Sequence, residues 1–326
     1  MTDTQVAVGI DIGGTNTVFG LVGRNGNLPA KGQIPTTGFP QIEDFIAALV
    51  SGIRNLPEFH EYGIQGVGIG APNGNFYRGT IEHAPNLDWK GIVPIADLLR
   101  AELNVPVYVT NDANAAALGE MIYGAAIGMR DFAVITLGTG LGSGFVSNGS
   151  MISGHDGFAG ELGHVTALKR EDRICGCGDR DCLETYVSAT GLVRTAQIRL
   201  EASDQPSLLR DLAPNDLSAK SIADAAAKGD QFALDIFDET GEILGFALAN
   251  TTAITSPEAY IFSGGMALAG DLILEPTRKY MERFIPPFYK GKVKLLLSAI
   301  HDKNPAILGG AALFWKEYRA RGNPGP

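Results

Sequence analysis

Two glycine turns, a few carboxylates and one cysteine cluster hold most of the chemistry in this chain. Asp11 ends the apolar run Val6–Ile10 and is followed by Gly13-Gly14-Thr15-Asn16. Glycine bares its backbone N–H groups and admits close approach, so such a turn can cradle phosphate oxygens. An aspartate beside that cradle suits Mg2+, which keeps its waters and takes carboxylates through them. A second turn, Gly138-Thr139-Gly140-Leu141-Gly142-Ser143-Gly144, follows Phe132–Leu137 in the same way. A lone glycine pair is more often only a tight hairpin. Two turns of one design, each with a threonine (Thr15, Thr139), outweigh that reading.

Thr110-Asn111-Asp112-Ala113-Asn114-Ala115 runs from a strand-like stretch into an alanine-rich helix. The plain expectation is that Asp112 caps that helix. The C-terminal end of a strand is also where α/β proteins bind ligands. A carboxylate there can accept a hydroxyl proton during phosphoryl transfer. Further on, Gly157-Phe158-Ala159-Gly160-Glu161-Leu162-Gly163-His164 precedes Cys175-Gly176-Cys177-Gly178-Asp179-Arg180-Asp181-Cys182-Leu183-Glu184. Three thiolates and one imidazole make a tetrahedral Zn2+ set, and a closed set of four is structural. A Cys-x-Cys disulfide would be strained. Glu161 and Glu184 flank the loop as candidate sugar ligands, because carboxylates accept hydrogen bonds from vicinal hydroxyls.

Other classes are excluded. No Gly-x-x-x-x-Gly-Lys-Ser/Thr occurs, so this is not a P-loop protein. Gly66-Val67-Gly68-Ile69-Gly70-Ala71 formally fits a dinucleotide fingerprint, but Pro72 stands where its helix must begin. The 326 residues carry 26 Lys and Arg against 36 Asp and Glu, a net charge of −10. With no basic run, a nucleic-acid face is not expected. No apolar run approaches the ~20 residues that cross a membrane. Met1–Gln5 is polar and Val6–Ile10 too short for a secretory signal. Three clustered cysteines then read as metal ligands in a cytoplasmic protein.

These residues need strand ends and helix starts to hold them. Val6–Ile12 and Val18–Val22 read as a hairpin, as do Phe132–Leu137 with Phe145-Val146, which suggests a duplicated α/β domain. Ile42, Phe45, Ile46, Leu49, Val50 and Ile53 fall on one helical stripe. Gln231–Asn250 reads as a long apolar helix, and Pro305–Tyr318 as a closing helix that begins at a proline. Strands alternating with helices predict a mostly parallel sheet in each of two domains. The boundary is expected at residue 112. The first domain would be 1–111 with the closing helix, about 303–322, and the second 112–302 with the cysteine loop.

Taken together, Asp11–Asn16, Asn111–Ala115, Leu137–Gly144, Glu161–His164 and the cysteine run resemble the ROK family of repressors, open reading frames and sugar kinases. The resemblance spans nearly the whole chain. It implies the two-domain actin-like ATPase fold, a duplicated ribonuclease H-like α/β architecture with a cleft between domains. It also implies an ATP-dependent hexose kinase acting on the 6-hydroxyl, with glucose expected first. N-acetylglucosamine, N-acetylmannosamine, mannose and fructose are alternatives, and a non-catalytic sugar-sensing regulator is the alternative of another class. By resemblance Asp112 is the base, and Asn111, Glu161 and Glu184 hold the sugar. His164 contacts sugar and ligates Zn2+ with Cys175, Cys177 and Cys182. Asn86, in Ala84-Pro85-Asn86-Leu87, is similar to the glucokinase version of its loop and would reach the sugar. Gly13, Gly14 and Thr15 with Gly138, Thr139 and Gly140 would hold phosphates, with Asp11 serving Mg2+ and Gly264-Gly265 near the nucleoside. A homodimer or homotetramer is implied. The family pattern has glycine where Asp181 stands. The family's repressors carry an N-terminal winged helix-turn-helix, for which a first strand beginning by Val6 leaves no room, so a repressor is not expected.

Overall fold

In the computed structural model, which describes residues 5–57 and 59–322, β1 (Gln5–Ile12) and β2 (Asn16–Gly23) pair antiparallel across the first glycine turn. The polar opening Met1–Thr4 lies outside the described residues. β3 (Ala30–Pro35) extends the hairpin, α1 (Ile42–Arg54) follows, and β4 (Gly63–Ala71) lies parallel to β1. Three short strands, β5 (Gly74–Asn75), β6 (Thr80–Glu82) and β7 (Ile92–Val93), form a small antiparallel sheet. Then come α2 (Ile95–Leu103), β8 (Val107–Asn111) and α3 (Asp112–Tyr123). The main sheet reads β3-β2-β1-β4-β8.

The second half repeats the plan. β9 (Phe132–Leu137) and β10 (Leu141–Ser147) pair antiparallel across the second glycine turn, and β11 (Ser150–Met151) follows. Next are α4 (Glu184–Val187), α5 (Ala189–Ala202), α6 (Ala219–Ala227) and α7 (Gln231–Thr255). β12 (Ala259–Ser263), α8 (Asp271–Phe284) and β13 (Lys294–Leu297) complete a sheet ordered β11-β10-β9-β12-β13. Each sheet is thus a hairpin continued by two parallel strands, so the short sequence repeat is a structural one. Among the described residues no helix is long and apolar enough to cross a membrane.

The last helix, α9 (Pro305–Ala320), returns to the first sheet. Strand alternation explains why. Val6, Val8, Ile10 and Ile12 of β1 face α1 and α2, while Ala7 turns to Ile307, Leu308, Ala311 and Phe314 of α9. On that face the strands are nearly bare. A β-carbon at Gly68 would lie 1.9 Å from the Gly310 carbonyl oxygen, so glycine lets the helix backbone rest on the sheet. The glycines that mimicked a dinucleotide fingerprint are a packing surface.

The chain forms two compact units: residues up to Met129 with Met151–Gly160 and the chain from Ala299 onward, and Arg130–Ser150 with Glu161–Ser298. The division therefore falls later than the expected residue 112. α3 stays with the first unit because its small residues meet α9. A β-carbon at Gly119 would sit 3.3 Å from Gly309 Cα. The segment 151–160 also belongs there. Asn75, fully buried, donates from Nδ2 to the Asp156 carbonyl at 2.7 Å, and the Tyr77 hydroxyl donates to that of Gly154 at 2.9 Å.

Candidate active site and metal centre

In the first unit two strand ends bring carboxylates to one sheet edge. Asp11 of β1 is in register with Gly70 of β4, and Asn111 of β8 with Ala71. Gly70 leaves the space between them open: a β-carbon there would be 3.6 Å from Asp11 Oδ1 and 3.5 Å from Asp112 Cα. Burial, reinforced by the Asp112 charge, pushes Asp11 up to about 7. Asp112 stays accessible to solvent, yet the protein crowded around it raises its carboxyl above the ordinary range, against the opposing pull of nearby amides.

The cap of α3 is Asn111, which corrects the expectation for Asp112. Asn111 keeps the extended backbone of β8 (φ −62°, ψ 148°), and its Oδ1 accepts from the Ala113 amide at 2.8 Å. Asp112 is already the first helical residue. Its own Oδ1 shares that amide at 2.8 Å. Helix capping therefore does not depend on the Asp112 carboxylate.

The first glycine turn is held by Gly13 N–H donating to the Asn16 carbonyl at 3.0 Å and by Thr36 N–H donating to that of Thr15 at 2.8 Å. Asn86 lies against it, since a β-carbon at Gly14 would be 3.0 Å from the Asn86 carbonyl and 3.3 Å from its Nδ2. The structure thus brings Asn86 to the phosphate-type turn.

In the second unit Gly138 N–H donates to the Gly140 carbonyl at 3.0 Å. The start of α5 ties the turn down. Ala189 N–H donates to the Gly138 carbonyl at 2.9 Å and Thr190 Oγ1 to that of Thr139 at 2.8 Å. Gly264 presses the turn after β12 onto the end of β9, where its β-carbon would meet the Leu137 carbonyl at 2.5 Å. Gly138, Thr139, Gly140, Gly264 and Gly265 thus gather at one end of this sheet.

Glu184, the first residue of α4, accepts the Leu141 amide on Oε2 at 2.8 Å. The Glu161-Leu162-Gly163-His164 segment forms a short 3-10 turn fastened by Leu162 N–H donating to Ser143 Oγ at 3.1 Å. Gly163 allows that turn to touch β10, for a β-carbon would lie 2.4 Å from the Leu141 carbonyl. Leu162 and Gly163 are buried while Glu161 and His164 are exposed. The ligand atoms of His164, Cys175, Cys177 and Cys182 all lie within 4.8 Å of one another. Burial and the neighbouring thiols push Cys182 up to about 12, whereas the Asp179 amide holds Cys177 low. One imidazole and three converging thiols fit a tetrahedral Zn2+, whose charge would keep all three as thiolates. Cys175 Sγ is 3.7 Å from Glu184 Oε1, so cluster, glutamate and glycine turn form one assembly.

Sequence reasoning missed the polar framework beneath this loop, built on Arg173, Asp181 and Tyr186. Its one visible signal is Asp181, an aspartate in a glycine position, which adopts φ 55°.

A hairpin with two added parallel strands, present twice and led each time into a glycine turn, defines the two-domain actin-like ATPase fold. The chain belongs to the ROK family, whose sequence model matches residues 7–317. It is 36% identical over 310 residues to a glucokinase of Halalkalibacterium halodurans, covering 93% of each chain. With a glucokinase of Streptomyces coelicolor it shares 38% over 314 residues, 94% of this chain and 97% of that one. A solved ROK family glucokinase from Streptomyces griseus, in complex with glucose and AMPPNP, is similar with a TM-score of 0.78 and 34% identity, covering 94% of this chain and 98% of that one.

Proposed function

We propose that this chain is an ATP-dependent glucose kinase that phosphorylates the 6-hydroxyl. The observation that carries the reading is Asp112: a carboxylate just past a strand end, relieved of capping by Asn111, with its proton affinity raised by the protein crowded around it. A general base needs that affinity to draw a proton from a hydroxyl. In the step, the 6-hydroxyl gives its proton to Asp112 as its oxygen bonds to the γ-phosphorus. The bond from that phosphorus to the bridging oxygen breaks, and ADP leaves.

Asn111, Asn86, Glu161, His164 and Glu184 would bind the sugar hydroxyls. The turns at Gly13-Gly14-Thr15 and Gly138-Thr139-Gly140 would bind phosphate oxygens through backbone amides, with Gly264-Gly265 at the nucleoside. Asp11 would hold Mg2+ through water, which supplies neutralisation of phosphate charge. His164, Cys175, Cys177 and Cys182 would hold a structural Zn2+ that fixes their loop. The same reading takes the enzyme as cytoplasmic and as a homodimer or homotetramer.

A coupled assay of ADP formation over a hexose panel tests it. Glucose should give the highest kcat/KM. A preference for a 2-acetamido sugar, mannose or fructose would move the substrate within the family. Hexose binding without hexose-dependent ADP formation would replace the kinase with a sugar-sensing regulator.

A further inference from the structure

Asp181 stands at φ 55°, a backbone that glycine adopts freely and other residues at a cost. The side chain that accepts this cost is buried and hydrogen-bonded through one oxygen. Its Oδ1 accepts the Arg173 amide at 2.9 Å, the Glu171 amide at 3.2 Å and the Tyr186 hydroxyl at 2.5 Å. The Tyr186 oxygen also accepts the Glu171 amide at 2.8 Å, and its ring lies under the Arg173 guanidinium, 4.1 Å from the centroid. Arg173 is itself fully buried. It pairs with Glu171 Oε2 at 2.7 Å and donates to the Thr185 carbonyl and Thr195 Oγ1, both at 2.9 Å.

Thr185 and Tyr186 are the two residues after Glu184. α4 has only four residues, too few to fix its own rotation. Leu183, Tyr186 and Val187 set its depth through burial. The metal ligands hold the chain on the other side, at Cys182. We propose that Asp181, through Tyr186 and the Arg173 pair, is a positioning residue that sets the rotation of α4 and so aims Glu184. Besides the Leu141 amide, the Glu184 carboxylate would then have two separate fastenings, the metal cluster and this buried framework. The inference rests on the reading of Glu184 as a sugar ligand.

Asp181→Gly tests it without backbone strain, and Asp181→Asn keeps one acceptor oxygen. Asp181→Gly should fold with one zinc per chain and raise the glucose KM about tenfold, with kcat and the ATP KM within about threefold. Asp181→Asn should recover most of the glucose affinity. In the Glu184→Gln background Asp181→Gly should add little, because both changes act through one carboxylate. A lowered Tm with an unchanged glucose KM would overturn the proposal. So would affinity lost only together with zinc, or effects that simply add. If Glu184→Gln itself leaves the glucose KM unchanged, the reading beneath the proposal fails. If Glu184→Gln raises it while Asp181→Gly is silent, only the positioning role fails.

Discussion

In the first unit, the strand that leads into the glycine turn carries Asp11 next to its end, and the parallel strand beyond delivers Asp112. In the second unit the matching strand carries Thr136, and the carboxylate at the turn is Glu184, brought from outside the sheet on a four-residue helix. The duplicated sheet therefore supplies two equivalent positions but not two equivalent chemistries. Asp11 is held within the sheet ladder and Asp112 follows directly on a strand end, both with raised proton affinity, which suits a cation and a proton acceptor. A carboxylate on a separately fastened helix can be aimed by what fastens it, which suits recognition.

The sharpest way to break this comparison is Asp112→Asn. Because Asn111 caps α3, the variant should fold and bind glucose normally, while kcat falls about 10²–10⁴-fold. Steady-state kinetics beside a melting curve would decide it, and near-normal kcat would return Asp112 to a structural role. On the second side, Cys177→Ala should take zinc from one ion per chain to none by elemental analysis. Its glucose KM should rise about 10–100-fold, as for removal of groups that orient ligands. Zinc lost with unchanged glucose affinity would separate the cluster from Glu184.

Within the second turn, Gly140→Ala puts a β-carbon 2.3 Å from Glu184 Oε2, whereas one at Gly138 meets nothing within 4 Å. The first change should raise the glucose KM on the order of tenfold. The second should leave it within about twofold. Equal effects would show that the turn does not read Glu184. The smallest effect concerns pH. A protonated Asp112 cannot accept the hydroxyl proton, and the protein crowded around it makes that proton bind more tightly than at the ordinary value of 3.8. The kcat/KM profile should therefore climb with pH across a limb lying above 3.8. A limb at or below it would contradict the desolvated base.

Periodicity made α1 and the two hairpins legible, since apolar alternation and the helical stripe are local signals. The cysteine and histidine set was legible too, because few other uses suit those residues at that spacing. The unit boundary was not. Asp112 begins a helix after a strand, which in sequence looks like a fresh start, and only the meeting of Gly119 with Gly309 shows where α3 packs. The cap moved by one residue because Asn111 and Asp112 are both good caps, and backbone dihedrals alone choose between them. The Arg173 framework escaped because its partners, Glu171, Asp181, Tyr186 and Thr195, follow no period.

The bare face of β1 and β4 has a consequence for the order in which the molecule can be made. Gly9 and Gly68 offer no side chains to one another, and the filling over them is α9, which follows every strand and helix of the second unit. A ribosome delivers β1 through β8 first, yet beyond the part that α3 covers at Gly70 their sheet keeps this side unfilled until Pro305–Ala320 emerges. Every strand and helix of the second unit, which ends at Ser298, is complete before then. The unit begun first is thus finished last, and synthesis halted just before Pro305 would leave a whole second unit beside a first still missing its final layer.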